Sequence, residues 1–255
     1  MNQQRPSAAP GRRNPLMVVG AVIALAVIAG TAFGLWYLFL RPAGPAAVAD
    51  ATLPPVPTAS AGATVKPLGS GGIDGKWNVS TTIGSFSDFT DSFVGYRVKE
   101  QLAGIGANTA VGRTPNVSGT LTIAGTKVTV VSISSDMTAL QSDDSNRDRQ
   151  LNNQGIQTGA FPNATFELAS PIDLGSVPAD GQEVSVTASG KLTLHGVTKD
   201  VQIALKAKLS GSVMVVSGSL PIVFADYNIE KPSSFKVLSV EDSGTMELQL
   251  FFVHS

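Results

Sequence analysis

The chain has 255 residues, 18 Lys+Arg against 19 Asp+Glu, two His (195 and 254) and no Cys. This excludes a disulfide framework, a thiolate metal site and a cysteine nucleophile, and two histidines do not make a multi-histidine metal centre. The charged fraction is 15%, against about 25% in ordinary soluble proteins. The mean hydropathy of +0.18 has a local cause that divides the chain.

Leu16–Leu40 is an uncharged run of 25 residues. As one helix it reaches ~37 Å, enough for a ~30 Å hydrocarbon core with some tilt. Pro15 suits a first helical turn, and Trp36 and Tyr37 suit an interface. Arg5, Arg12 and Arg13 precede the run and Arg41 alone follows it closely. The bias predicts a single-pass span of a cell membrane, with residues 1–15 cytoplasmic and the rest extracytoplasmic. The alternative is a cleaved signal, with Ala47-Val48-Ala49 as the small-x-small site; the apolar run is long for that. Arg12-Arg13 is weak support for a twin-arginine route.

Residues 41–72 hold six prolines, many alanines and only Arg41, Asp50 and Lys66 as charges. No helix or strand period is present, so the segment reads as a Pro/Ala-rich linker. Extended at ~3.1 Å per residue it spans about 100 Å.

Residues 73–255 carry 13 basic against 18 acidic residues, a net charge of −5. That argues against nucleic acid as a partner. Period-two alternation runs through Val94-Tyr96-Val98, Val117–Ile123, Ala164–Leu168, Val184–Leu194, Val201–Leu209 and Met246–Phe252. With Gly75–Ile83, Lys127–Ile133 and Val213–Phe224 this predicts eight to ten antiparallel strands. One polar helix is expected over Asp143–Asn153, with Ser142, Asp143 and Asp144 as available N-caps. The architecture is a two-sheet sandwich or a closed barrel; strands of ten or more residues favour the barrel. Gly119 and Gly190 sit on apolar faces, where they permit a bend or leave interior room.

No nucleophile elbow, phosphate loop or metalloprotease motif is present. His195 sits at a tight turn, where it serves the turn or contacts a ligand head group. The cluster Asp143, Asp144, Arg147, Asp148 and Arg149 is a solvated helix face, a clamp holding the helix over a barrel end, or a ligand-facing group. Phe86, Phe89 and Phe93 are core or line a mouth. Three Asn-x-Ser/Thr sequons, at Asn78, Asn116 and Asn163, support no glycosylation claim.

Four blocks resemble the YceI-like, polyisoprenoid-binding domains. They are Trp77-Asn78-Val79; Asp136–Leu140 followed by Arg147-Asp148 and Leu151; Phe161-Pro162-Asn163-Ala164-Thr165-Phe166; and Leu192-Thr193-Leu194-His195-Gly196-Val197-Thr198-Lys199. Their order and spacing agree across about 75–253. Phe224-Ala225-Asp226-Tyr227 stands where many members have R-x-D-F/Y-G, and here the arginine and glycine are missing. The resemblance implies an all-β, lipocalin-like antiparallel barrel of about eight strands with one short helix and a long apolar pocket. It implies an isoprenoid or other long-chain lipid as partner.

The expectation is therefore a membrane-anchored, extracytoplasmic lipid-binding module that sequesters or transports its ligand and performs no chemistry, with no cofactor, metal or catalytic residue. The membrane is a second partner through Leu16–Leu40; the oligomeric state is left open. The apolar pocket is assigned by strand parity to Val94, Tyr96, Val98, Phe166, Leu192, Leu194 and Phe224, with His195, Arg147 and Tyr227 as polar head-group contacts. A one-residue slip reverses such parity. The alternatives are a surface interaction or structural barrel with a filled core, and an enzyme acting on such a lipid.

Overall fold

The computed structural model describes residues 15–35, 45–48, 53, 72–232 and 237–255, with side chains of the first helix given at 22–32 and 34. Two compact units result, Met1–Ala43 and Gly44–Ser255.

The first unit holds helix α1 (Pro15–Leu35). Here the expectation of a single-pass membrane protein with an extracytoplasmic domain is corrected. Among the described residues no helix is long and apolar enough to cross a membrane. Arg5, Arg12, Arg13, Trp36, Tyr37 and Arg41 lie outside the described residues.

The second unit is built on eight antiparallel strands that close on themselves. In ring order they are β1 (Gly75–Ser80), β4 (Val117–Ala124), β5 (Lys127–Asp136), β7 (Asn163–Leu168), β9 (Glu183–Leu194), β10 (Val197–Ser210), β11 (Val213–Val223) and β13 (Ser243–His254). β13 pairs with β1 through Phe251–His254 to complete the ring. Its first half instead pairs with β2 (Phe93–Leu102), through Thr245–Gln249. β2 carries β3 (Gly106–Thr114) beside it. The short strands β6 (Gln141–Ser142), β8 (Ile172–Asp173) and β12 (Val237–Val240) extend β3, β5 and β2.

Local chemistry accounts for the punctuation. At the β9–β10 hairpin, Leu194 faces Val197 across a two-residue turn in which His195 and Gly196 both have positive φ, 50° and 72°. That is the turn whose twist matches the strands it joins. The helix is shorter than expected, α2 (Ser145–Gln150), and Asp144 is the cap actually used: its side chain accepts from the Asn146 N–H at 2.8 Å. One π-type turn, Leu151–Gly155, continues it. Trp77 is fully buried and its indole N–H donates to the Ile73 carbonyl at 2.9 Å, which fixes the start of β1.

The unit also takes in part of the segment expected to be a bare linker. Val48 and Leu53 are buried. Pro45, Ala46 and Val48 bond through their main chain to barrel side chains.

Candidate functional site

The inward residues of the ring enclose an apolar cavity of about 150 Å³. Every ring strand but β1 contributes to its wall, and β2 adds Val94. Ala188, Leu192 and Ile203 are buried deep in it, whereas Gln182 is exposed and Leu174, Pro178 and Lys208 are half-buried. The cavity thus opens between the 174–182 loop and the β10–β11 hairpin. That rim is tied by Gly181 N–H to the Leu209 carbonyl and Gly211 N–H to Asp180 Oδ1, both at 2.7 Å. Lys208 is the one ionisable residue among those lining the cavity.

The opposite end is shut. Met137, Leu140, Ile156 and Ala164 form a buried group against which Tyr96, Leu151 and Leu194 pack. The Tyr96 hydroxyl is buried there without a hydrogen-bond partner, and burial pushes its pKa upward. Arg147 locks α2 onto this end: it bonds Glu100 on β2 at 2.8 Å and Asp143 within its own segment. Asp148 accepts from the Ser142 N–H at 3.0 Å. The charged cluster is a clamp.

The residues assigned to the pocket by parity therefore separate by height. Val94, Phe166 and Leu192 line the cavity. Tyr96 and Leu194 share faces with Val94 and Leu192 but lie in the shut end. Val98 and Phe224 lie further on, both against Gly244, within 2.7 and 3.3 Å of where its Cβ would stand. None of these four lines the cavity.

The expected polar contacts also stand away from it. His195 is 7% exposed; its Nδ1–H donates to the Tyr227 carbonyl at 2.9 Å, and its ring meets Phe161 at 4.4 Å. Because a carbonyl only accepts, this bond assigns the proton to Nδ1 and leaves the buried Nε2 an acceptor without a partner. His195 thus staples the β9–β10 turn to the Phe224–Tyr227 turn. Asn228 follows with φ 54°, a left-handed conformation that asparagine tolerates where a glycine would otherwise serve.

The glycines that suggested interior room are occupied by neighbours. A Cβ on Gly190 would stand 2.4 Å from both the Glu167 carbonyl and the Phe166 ring; one on Gly119 would stand 2.6 Å from Ile133 Cδ1. The small side chain of Ala188, by contrast, faces the cavity. Leu121, Leu205, Met214, Met246 and Leu248 also line the wall, and parity alone could have reached them.

These features define a class: a lipocalin-like closed barrel with an apolar cavity, and no acid–base pair among the described residues that line it. The model of the YceI-like domain matches residues 77–252, and the chain belongs to that family. Among solved structures, a polyisoprenoid binding domain from Saccharophagus degradans implicated in plant cell wall breakdown is similar, with 20% identity and a TM-score of 0.54 over 70% of this chain and 98% of that one. BcnA of Burkholderia cenocepacia is 21% identical, covering 63% and 95% of the two chains with a TM-score of 0.49. No curated protein matches.

Proposed function

We propose that the barrel binds an isoprenoid or other long-chain lipid, by sequestration or transport and without chemistry on it. The observation that carries this reading is the apolar cavity, whose wall offers hydrocarbon almost everywhere and a half-buried lysine only at the rim. Membership of the YceI-like family and the likeness to a polyisoprenoid binding domain support it.

The size of the cavity sets terms on the ligand. A cavity of about 150 Å³ holds on the order of ten water-sized groups. Burying ten methylenes is worth ~8 kcal/mol, against association costs of ~4 kcal/mol or more. A chain that merely fills the cavity is held weakly. Tight binding needs a longer chain that keeps its contacts through the rim, along Leu174, Pro178, Leu209 and Met214. The head group then lies outside, beside Lys208 and Gln182, and His195, Arg147 and Tyr227 act on it only through the shape of the barrel.

The test is native mass spectrometry of the full chain purified without added lipid, followed by extraction of whatever is bound. A stoichiometric isoprenoid or other long-chain lipid is the expected result. An apo mass that stays unchanged after incubation with quinones and polyprenyl phosphates would overturn the reading.

A further inference from the structure

The outer face of β13 is buried as deeply as its inner face. Glu247, Gln249 and Phe251 alternate with the cavity-lining Leu248 and Leu250, yet they are only 1%, 7% and 0% exposed. Two stretches of chain cover them. One is the loop before β2: Gln249 Nε2 donates to the carbonyls of Phe89 and Asp91 at 3.2 and 2.9 Å, and Ser92 Oγ accepts from the Phe251 N–H at 2.9 Å. The other is the segment that begins at Pro45.

Beneath that segment lies a buried ion triad. Glu247 meets Arg97 Nε at 3.0 Å and Arg113 Nη2 at 3.5 Å. The Arg113 guanidinium lies over the rings of Phe93 and Phe89, 4.1 and 4.6 Å from their centroids. One carboxylate cannot use every donor of two guanidiniums, and a buried ion is costly unless its hydrogen bonds are made. The Pro45 carbonyl accepts from Arg97 Nη2 at 2.6 Å and the Ala46 carbonyl from Arg113 Nη2 at 3.2 Å. The Val48 N–H donates to Glu247 Oε1 at 3.2 Å. Further along, Leu53 is buried with Ile83, Val213, Val215 and Phe251. Arg113 Nε remains buried without a partner, an unspent donor in the same site.

The pattern reads main chain: two successive carbonyls, an N–H two residues on, and one apolar side chain five residues after that. Only small residues let a backbone come that close, and Pro45-Ala46-Ala47-Val48 supplies them.

We infer that the outer face of β13 is a peptide-recognition groove, built on Arg97, Arg113, Glu247 and the Leu53 seat, and that its occupants are this chain's own residues 45–48 and Leu53. The segment is an exchangeable strap. When it leaves, the groove recognises the same extended, small-residue sequence supplied in trans.

Two measurements on the full chain test this. The first is amide hydrogen exchange in the wild type. The Val48 N–H is expected to exchange at least ~100-fold more slowly than in an unstructured peptide, as a docked amide does. The second compares the wild type with a Val48→Pro/Leu53→Asp variant. Both changes lie on the strap and leave the barrel ladder untouched. A fluorescent synthetic peptide of residues 44–54 is expected to bind the variant at least tenfold more tightly than the wild type, whose groove is filled. Unprotected exchange at Val48 would overturn the docked strap. Equal binding of the peptide to both chains, or none to the variant, would overturn the groove.

Discussion

The two faces of β13 are built on opposite rules. Inward, Met246, Leu248, Leu250 and Phe252 leave a gap between apolar side chains. Outward, Glu247 and Gln249 are closed over by main-chain groups until almost no polar atom is free. The inner face tolerates empty space because an unfilled apolar surface costs only lost contacts. The outer face does not tolerate an unmet charge, because a buried ion without partners costs several kcal/mol. Stability should therefore depend on the outside of this strand and binding on the inside.

The largest effect is expected at Glu247. Glu247→Ala leaves Arg113, 4% exposed, beside Arg97 with no carboxylate between them. Removing one member of such a buried set costs ~3–5 kcal/mol. For a domain of this size that lowers the Tm by about 10 °C. Thermal and urea unfolding check it; a loss below about 1 kcal/mol would mean that water already reaches the triad.

The inner face should behave the other way. Ala188 is 1% exposed and lines the cavity. Ala188→Phe places a ring in open space, so the unfolding free energy should move by no more than about 1 kcal/mol, less than the ~1–3 typical of overfilling a packed core. Lipid retention, read by the mass of the purified chain, should fall at least tenfold. Retention without change would place the ligand outside the barrel.

The strands were legible because one side of each is wet. Val184 to Leu192 alternates in sequence, and the burial of β9 alternates with it. β3 escaped notice for the converse reason: Ala110–Thr114 is buried on both faces, so no period-two pattern forms. Parity located the faces of β2 and β9 but gave no height along the barrel. That is why Val94 and Leu192 reach the cavity while Tyr96 and Leu194 plug its end. The closed barrel itself was legible from the family blocks more than from periodicity. The strap was not legible at all. Carbonyls at Pro45 and Ala46 do the binding, and recognition through main chain leaves no signature in side-chain type.

The smallest effect concerns Asp91, which sits under the loop that covers the outer face. It is 5% exposed, and its Oδ1 has no hydrogen-bond partner. Burial pushes its pKa up from 3.8 to about 6, with the Asp88 carboxylate adding to the rise, while its own backbone amide and Arg113 oppose it. The native state therefore holds this proton more tightly than the unfolded chain does. Below about pH 4 both states carry it and ionisation costs nothing. As pH rises from about 4 to 6 the native state is penalised progressively, and above that the loss is complete. Allowing for partial contact with solvent, the penalty is about 1–2 kcal/mol. Asp136 pulls the other way: hydrogen bonds from the Thr138 hydroxyl and N–H lower its pKa, so its contribution is lost only as pH falls below the normal carboxylate range. The pKa of Asp144 is lowered as well, so among the described carboxyls with a shifted pKa only Asp91 is raised into the window between pH 4 and 6. Urea midpoints of the wild type and Asp91→Asn, taken at pH 4 and pH 7, should show the variant gaining on the wild type by that amount at the higher pH. A difference that does not change with pH would mean that Arg113 compensates the carboxylate in full, and that the outer face of β13 is electrostatically closed without the strap.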